Sequence, residues 1–391
     1  MLKFGFARCP RIYFGPGTFR ELREIVPRWG RKALIVTGAS SFQASGRLEE
    51  LQGWLDEELV SYFHVAVKGE PSPELVDGMV EEYRGSGIEV VLSVGGGSAI
   101  DAGKAISAML LEKDSVLDYL EEVGGKEHSG RKVPFIAVPT TAGTGSEATR
   151  NAVLSRVGPD GFKKSLRHDN FVPEVAVVDP ELALSCPTRV TASSGMDALT
   201  QLLESYVSPG SSPLTDALAL SGMERVRDNL LPACGAGSSD VEVRAGMAYA
   251  ALLSGITLAN AGLGVVHGFA AAIGGLYSIP HGVICGTLLG AAVRANISAL
   301  RGMGAGGEAA LKKYARAGAL LSGGEKASVD EGCALLVEVI QRWTRELHLP
   351  RLGEFGITSS DVDGIVERTE PKNNPAPLDR RTLRSIILER L

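Results

Sequence analysis

The sequence predicts an α/β chain in two parts: a doubly wound parallel sheet in the N-terminal half and an all-helical C-terminal half. Three observations carry this. Up to about residue 180, short apolar runs alternate with segments of helical period, the pattern of strand–helix–strand units. From about Cys186 strand signals stop and helical periods follow one another to the end. At 391 residues the chain is longer than one ordinary core supports, so two domains are expected, 1–185 and 186–391.

The elements follow in order. The alternation across residues 2–8 reads as an edge strand, and Arg11–Phe14 as a strand closed by the Gly15-Pro16-Gly17 turn. Residues 18–28 have helical period. Lys32–Thr37 is a β-rich run ending at Gly38-Ala39-Ser40-Ser41, and 46–59 reads as a helix. Ser61–Val67 is a strand, and Pro73–Gly85 a helix with Ser72 as N-cap. Glu89–Val94 and Val133–Val138 are strands, and so are Val153–Ser155 and Glu174–Val178. The second half predicts helices over 191–207, 213–230, 241–261, 263–275, 281–300, 307–321, 327–347 and 379–390.

Composition excludes several classes. A net charge of -6 and a pI near 5.7 argue against nucleic acid or an anionic membrane as partner. The five cysteines are scattered with no CxxC, so neither a disulfide framework nor a thiolate zinc site is indicated, and a reducing cytoplasmic compartment fits. The first eight residues lack an apolar signal core. From Ala245 to Val293 there is no Asp, Glu, Lys or Arg, yet Asn260, His267, Pro280 and His281 interrupt the run. Buried helices around a polar site explain it better than a membrane span.

Two loops carry the chemistry. Val94 runs into Gly95-Gly96-Gly97-Ser98, and an apolar helical period resumes with Asp101 and Lys104. A loop nearly free of side chains, feeding a helix N-terminus, suits a phosphate or pyrophosphate. A tight connection with no ligand is the bland alternative. Pro139-Thr140-Thr141-Ala142-Gly143-Thr144-Gly145-Ser146-Glu147, rich in hydroxyls, is a second such loop beyond a strand. Neither loop is a GxGxxG fingerprint or a P-loop, so phosphoryl transfer loses weight.

In the helical half, Asp197 and Gln201 are four apart and share a helix face. A local hydrogen bond explains that spacing equally well. His267 and His281 both lie in the charge-free stretch. With Asp197 they begin to resemble a mononuclear metal site of two histidines, a carboxylate and one further oxygen. His64, His128, His168 and His348 lie in polar or strand contexts and read as incidental.

Together these pieces, with Asp179-Pro180, Gly195-Met196-Asp197-Ala198-Leu199 and Pro280-His281-Gly282, resemble the iron-containing (group III) alcohol dehydrogenases. The resemblance runs from Arg11–Gly17 to Asn373-Asn374-Pro375. It implies a Rossmann-like N-terminal domain and an all-α C-terminal domain, the dehydroquinate synthase-like architecture. A nicotinamide would meet a metal-held alcohol or aldehyde in the cleft between them. Gly95, Gly96, Gly97 and Ser98 would hold the pyrophosphate, with Asp101 beside them. Thr140, Thr141 and Thr144 would contact the ribose and nicotinamide, and Lys163 would contact a ribose. Asp197, His267 and His281 fall on three of the four metal-ligand positions and are the expected catalytic centre. The resemblance also suggests a homo-oligomer, with the strand at 2–8 available to pair across an interface.

Three departures stand out. The fourth ligand position, normally histidine, is Gln201, a neutral and weaker donor. This leaves open whether the divalent ion, Fe2+ or Zn2+, is bound weakly, is a different metal or is absent. A second histidine usually found four residues after His267 is Ala271. The aspartate that often follows the second strand is Gly38, with Ser40 and Ser41 close behind. No carboxylate there repels a 2′-phosphate, so NADP should be accepted as well as NAD.

The leading expectation is an NAD(P)-dependent enzyme that interconverts a primary alcohol and an aldehyde by metal-assisted hydride transfer. The alternatives are a metal-independent, maleylacetate reductase-like enzyme acting on a keto or unsaturated acid, a dehydroquinate synthase-like lyase, and a non-catalytic dinucleotide-binding protein.

Overall fold

Alternating burial along the second strand explains the architecture. Leu34 and Val36 face one apolar cluster with Val91, Ile100 and Ile106, while Ala33 and Ile35 face another with Phe19, Leu51 and Leu92. A strand buried on both faces belongs in a parallel sheet covered by helices on both sides.

The computed structural model describes residues 3–324 and 327–391. Its strands are β1 (Arg11–Phe14), β2 (Lys32–Gly38), β3 (Ser61–Val67), β4 (Val90–Gly95), β5 (Phe135–Pro139), β6 (Asn151–Arg156), β7 (Phe162–Arg167) and β8 (Val175–Val178). The N-terminal helices are α1 (Leu22–Ile25), α2 (Ser41–Ala44), α3 (Arg47–Glu57), α4 (Pro73–Tyr83) and α5 (Gly97–Met109). The rest are α6 (Thr188–Val207), α7 (Pro213–Ala233), α8 (Val241–Ala261), α9 (Val265–Leu276), α10 (His281–Gly302), α11 (Glu308–Leu321), α12 (Val329–Glu346), α13 (Val362–Arg368) and α14 (Arg380–Leu388).

Six parallel strands form one sheet in the order β1-β8-β5-β4-β2-β3. The chain leaves β2 for β3 at one edge, then returns to the other side of β2 for β4. The switch point between β2 and β4 opens a crevice beyond their carboxyl ends, where ligands of such sheets bind. After β8 the described residues contain helices and no strand.

Local chemistry sets several boundaries. Ser72 caps α4, its hydroxyl accepting from Leu75 N at 3.2 Å. Ser212 and Thr215 make a reciprocal capping box at the start of α7, and Ser328 and Glu331 make one at the start of α12. Two helices, α8 and α10, are long and apolar enough to cross a membrane by length and composition. Most of each is buried inside the helical domain, as expected of core helices.

The structure corrects the expected edge strand at residues 2–8, bears out a strand at Val153–Ser155, and adds its pairing and two further elements. Residues 3–8 form no strand, and residues 1 and 2 lie outside the described residues. Pro10 lacks the N–H that would continue the ladder into β1, and Ala7 N–H instead donates to Asn260 on α8 at 2.6 Å. Val153–Ser155 belongs to β6, which leaves the main sheet and pairs antiparallel with β7. The reading passed over β7, where Lys163-Lys164 interrupts the apolar alternation, and the seven-residue α13.

Candidate active site

The carboxyl edge of the sheet brings three loops together. In register, Thr37 pairs with Val94 and Gly95 with Pro139, so Gly38, Gly96 and Thr140 emerge side by side. Thr140 N–H donates to Gly95 O at 2.9 Å. A Cβ on Gly95 would stand 2.6 Å from Ala99 Cβ, and one on Gly97 2.7 Å from Thr144 Oγ1. Contacts this close leave room only for bare backbone. Gly96 caps α5 without a side chain, so the N-terminus of a thirteen-residue helix meets the crevice as backbone. Ser98 lies in its first turn, and Thr141 Oγ1 sits 3.3 Å from where a Gly96 Cβ would be. Ser40 precedes α2 and makes no capping bond with its side chain.

A buried lysine locks the second loop. Lys104 Nζ donates to Ser146 O at 2.7 Å and to Thr149 and Asn151 carbonyls at 3.0 and 2.9 Å. Asp101 accepts from the Ser146 hydroxyl, so its carboxylate is engaged with the loop. Burial pushes the Lys104 pKa down to about 8. The loop also docks on the helical domain. Gly145, at φ 61°, lies so close to Gly255 on α8 that a Cβ would meet Gly255 N at 2.4 Å.

Lys163 lies on β7 with its Nζ 2.6 and 2.7 Å from the two carboxylate oxygens of Glu70. Ser155 donates to the same carboxylate at 2.8 Å. The Lys163 stem rests against Gly274 on α9, which places this ion pair on the helical domain's side of the crevice.

Opposite the loops, α6, α9 and α10 converge. Asp197 comes from α6, His267 from α9 and His281 from the first position of α10. Asp197 Oδ1 lies 3.5 Å from His267 Nε2 and 3.7 Å from His281 Nε2. That oxygen is buried and has no hydrogen-bond partner among the described residues. His281 is 24% exposed against 5% for His267 and 1% for Asp197, so the cluster opens on the His281 side.

The polar shell behind these side chains serves Asp197 and His267, while His281 Nδ1 is buried without a hydrogen-bond partner among the described residues. Glu204 Oε2 lies 2.7 Å from His267 Nδ1, and its other oxygen accepts Val266 N–H at 2.8 Å. Gln201 Nε2 donates to Asp197 Oδ2 at 3.0 Å, and Gln201 Oε1 accepts from Ser254 Oγ at 2.7 Å. The expected amide ligand is thus turned to Asp197 and Ser254. Cys285 lies one turn beyond His281, its Sγ 3.7 Å from His267 Nε2 and 3.6 Å from His281 Nε2. The sequence reading missed Glu204 and Cys285. Their signals were Glu204 seven residues after Asp197 on one helix face, and Cys285 four after His281.

The electrostatics favour a cation. Burial opposes the Asp197 charge, yet His281 and His267 outweigh it and hold its pKa below the usual carboxylate value. Burial disfavours a charged His267 ring, but Cys285, Asp197 and Glu204 overcome this and raise its pKa well above the ordinary imidazole value. The desolvating surroundings push His281 down to about 4 and the Cys285 thiol up to about 12. A cluster that retains positive charge against burial, and that offers an orphaned carboxylate oxygen and two imidazole nitrogens, fits a divalent ion.

Hydride exchange between a nicotinamide and a carbon bearing oxygen requires a dinucleotide crevice and a means of polarising that oxygen, side by side. This fold and site define an NAD(P)-dependent dehydrogenase. Residues 9–180 match the family described as "Iron-containing alcohol dehydrogenase", and residues 191–391 match "Fe-containing alcohol dehydrogenase family, C-terminal". The chain is 33% identical over 369 residues to alcohol dehydrogenase 4 of Saccharomyces cerevisiae, covering 93% of this chain and 91% of that protein. It is 30% identical over 397 residues to the NADPH-dependent butanol dehydrogenase of Clostridium saccharobutylicum, covering 99% and 97%. A crystal structure of an archaeal halo-thermophilic alcohol dehydrogenase from a Red Sea brine pool superposes with a TM-score of 0.91 at 26% identity, covering 100% and 99%. The chain belongs to the iron-containing alcohol dehydrogenase family. It is an NAD(P)-dependent oxidoreductase of alcohols and aldehydes, in a family that uses a divalent metal.

Proposed function

We propose that the enzyme interconverts primary alcohols and aldehydes, with Asp197, His267 and His281 holding an Fe2+ or Zn2+ ion opposite the nicotinamide. One observation carries this reading: Asp197 Oδ1 is buried, unpartnered and flanked by two imidazole nitrogens. An orphaned carboxylate oxygen in an apolar domain is costly unless a cation uses it.

The overall change is alcohol plus NAD(P)+ to aldehyde, NAD(P)H and a proton. When bound, the ion supplies Lewis acidity toward the alcohol oxygen and the nicotinamide accepts hydride. The chain supplies position and field. Backbone at Gly95, Gly96, Gly97 and Ser98 cradles the pyrophosphate, while Thr140, Thr141 and Thr144 orient the ribose and nicotinamide. Asp197 adds negative charge where cationic character must be held, and Glu204 fixes the His267 ring. Ala271 stands where relatives of this type commonly carry a base, so the alcohol proton leaves through water or a ribose hydroxyl.

Gly38 ends β2 and the hydroxyls of Ser40 and Ser41 follow it with no carboxylate among them, which supports acceptance of the 2′-phosphate of NADP. The exposed outer edge of the sheet, with Ile12 and Phe14 on β1 and Phe4 and Phe6 ahead of it, supports a homo-oligomer joined there. Five unpaired cysteines fit a cytoplasmic location.

The test is metal analysis of protein purified without chelator, with turnover of a primary-alcohol series on NADP and NAD. The expected result is one divalent ion per chain and activity lost on chelation and restored by metal. Undiminished activity in metal-free protein overturns the metal assignment. An NAD bias in kcat/KM of tenfold or more, about 1.4 kcal/mol, overturns the NADP assignment.

A further inference from the structure

We propose that Cys285 is the fourth protein donor of the metal centre, and that Gln201 holds Asp197 in place without touching the ion. This rests on the reading that Asp197, His267 and His281 bind a divalent cation.

Four donor atoms, one each from Asp197, His267, His281 and Cys285, all lie within 4.8 Å of one another. The finer distances decide between ligation and mere proximity. A tetrahedral ion with nitrogen at about 2.0–2.1 Å and sulfur at about 2.3 Å sets the nitrogen-to-sulfur edge near 3.5 Å. Cys285 Sγ stands 3.7 Å from His267 Nε2 and 3.6 Å from His281 Nε2, two edges of that length sharing one sulfur. The Asp197 oxygen completes two more edges at 3.5 and 3.7 Å, and it is the oxygen left without a partner.

Helix geometry explains the placement. His281 and Cys285 are four apart on α10 and so share a face. Cys285 is wholly buried, which keeps the sulfur from competing reactions with solvent. Gln201, by contrast, is committed on both sides. Its NH2 donates to Asp197 Oδ2, and its carbonyl accepts the Ser254 hydroxyl. Turning the carbonyl toward the cluster would break both of these bonds. On metal binding the thiol proton leaves to solvent and sulfur bonds the ion as thiolate. The consequence is a change of preference. A thiolate makes the centre softer than an all-nitrogen and oxygen set, which shifts selection toward Zn2+.

Cobalt substitution reads the ligand directly. Protein stripped of metal and loaded with one equivalent of Co2+ should show a near-ultraviolet thiolate-to-cobalt charge-transfer band. C285S should bind Co2+ more than about tenfold more weakly and lack the band, while Q201A keeps it. Unchanged NADPH affinity and circular dichroism establish that C285S is folded. A wild-type Co2+ complex without the band, or C285S binding Co2+ as tightly as wild type, overturns the Cys285 assignment and leaves the three-residue metal site standing. Failure of the wild type to bind Co2+ or Zn2+ at all overturns both.

Discussion

Glu204 reaches from α6 to place one carboxylate oxygen 2.7 Å from His267 Nδ1 and the other 2.8 Å from the Val266 amide. Both oxygens of a buried carboxylate are thereby spent on the first turn of α9. The ring has one orientation left, with Nε2 toward Asp197. Glu204→Gln should lower metal affinity by about 10–100-fold, since a neutral amide holds the ring less firmly and makes it less basic. NADPH affinity should stay as in the wild type. Isothermal titration with Zn2+ checks this, and an unchanged affinity would contradict the orienting role.

Asp197→Ala should abolish turnover and metal content together while cofactor binding persists. It also removes the acceptor for Gln201 Nε2, which costs about 1–3 kcal/mol of stability. Metal bound only by the native state raises its melting temperature. Chelation should therefore lower Tm in the wild type and leave Tm of the variant where it is. Thermal melts with and without chelator decide the matter. A chelator response retained in Asp197→Ala would place the ion elsewhere.

The glycine loop admits the opposite dissection. In Gly97→Ala the new methyl group would stand 2.7 Å from Thr144, so Thr144 must leave the position from which it faces the crevice. NAD(P)H affinity should fall by at least tenfold, about 1.4 kcal/mol, with metal content unchanged. Fluorescence titration with NADPH measures the first quantity. Unaltered affinity would remove the loop from the cofactor site.

Glu147 gives a pH signature in the folding equilibrium. Burial raises its pKa from 4.5 to about 7, overcoming the opposing influence of Lys104. Between those values the native state holds a proton that the unfolded chain has released. Stability from this group is therefore full below pH 4.5 and is lost as pH rises through 7. Relative to Glu147→Gln, the wild type should lose about 3 kcal/mol across that interval. Urea denaturation of both proteins from pH 4.5 to 7.5 tests the sign, and parallel curves would refute it.

Much of the cofactor half was legible because its signals are local. The Gly38 and Gly95 punctuation follows β-rich runs, and Ser72 caps its helix as its position implied. The Phe162–Arg167 strand was not legible, since Lys163 and Lys164 mask the period-two pattern and Lys163 is stabilised by Glu70, 93 residues away. In the helical half, Asp197, His267 and His281 stood out as polar groups in apolar helices. Cys285 did not, because a buried cysteine reads as a small core residue until α9 and α10 are brought together. Gln201 was in view, but which way its amide turns depends on Ser254 from another helix.

The proposed arrangement sets a dinucleotide on the glycine loops opposite an ion held from the helical domain. A crystal structure with NADP, recorded at the absorption edge of the resident metal, tests it most directly. The expected map has one anomalous peak within bonding reach of Asp197 Oδ1, His267 Nε2 and His281 Nε2, with the nicotinamide ring turned toward it. A peak elsewhere, no peak in protein that turns over alcohol, or a cofactor lying away from Gly95–Ser98 would contradict it.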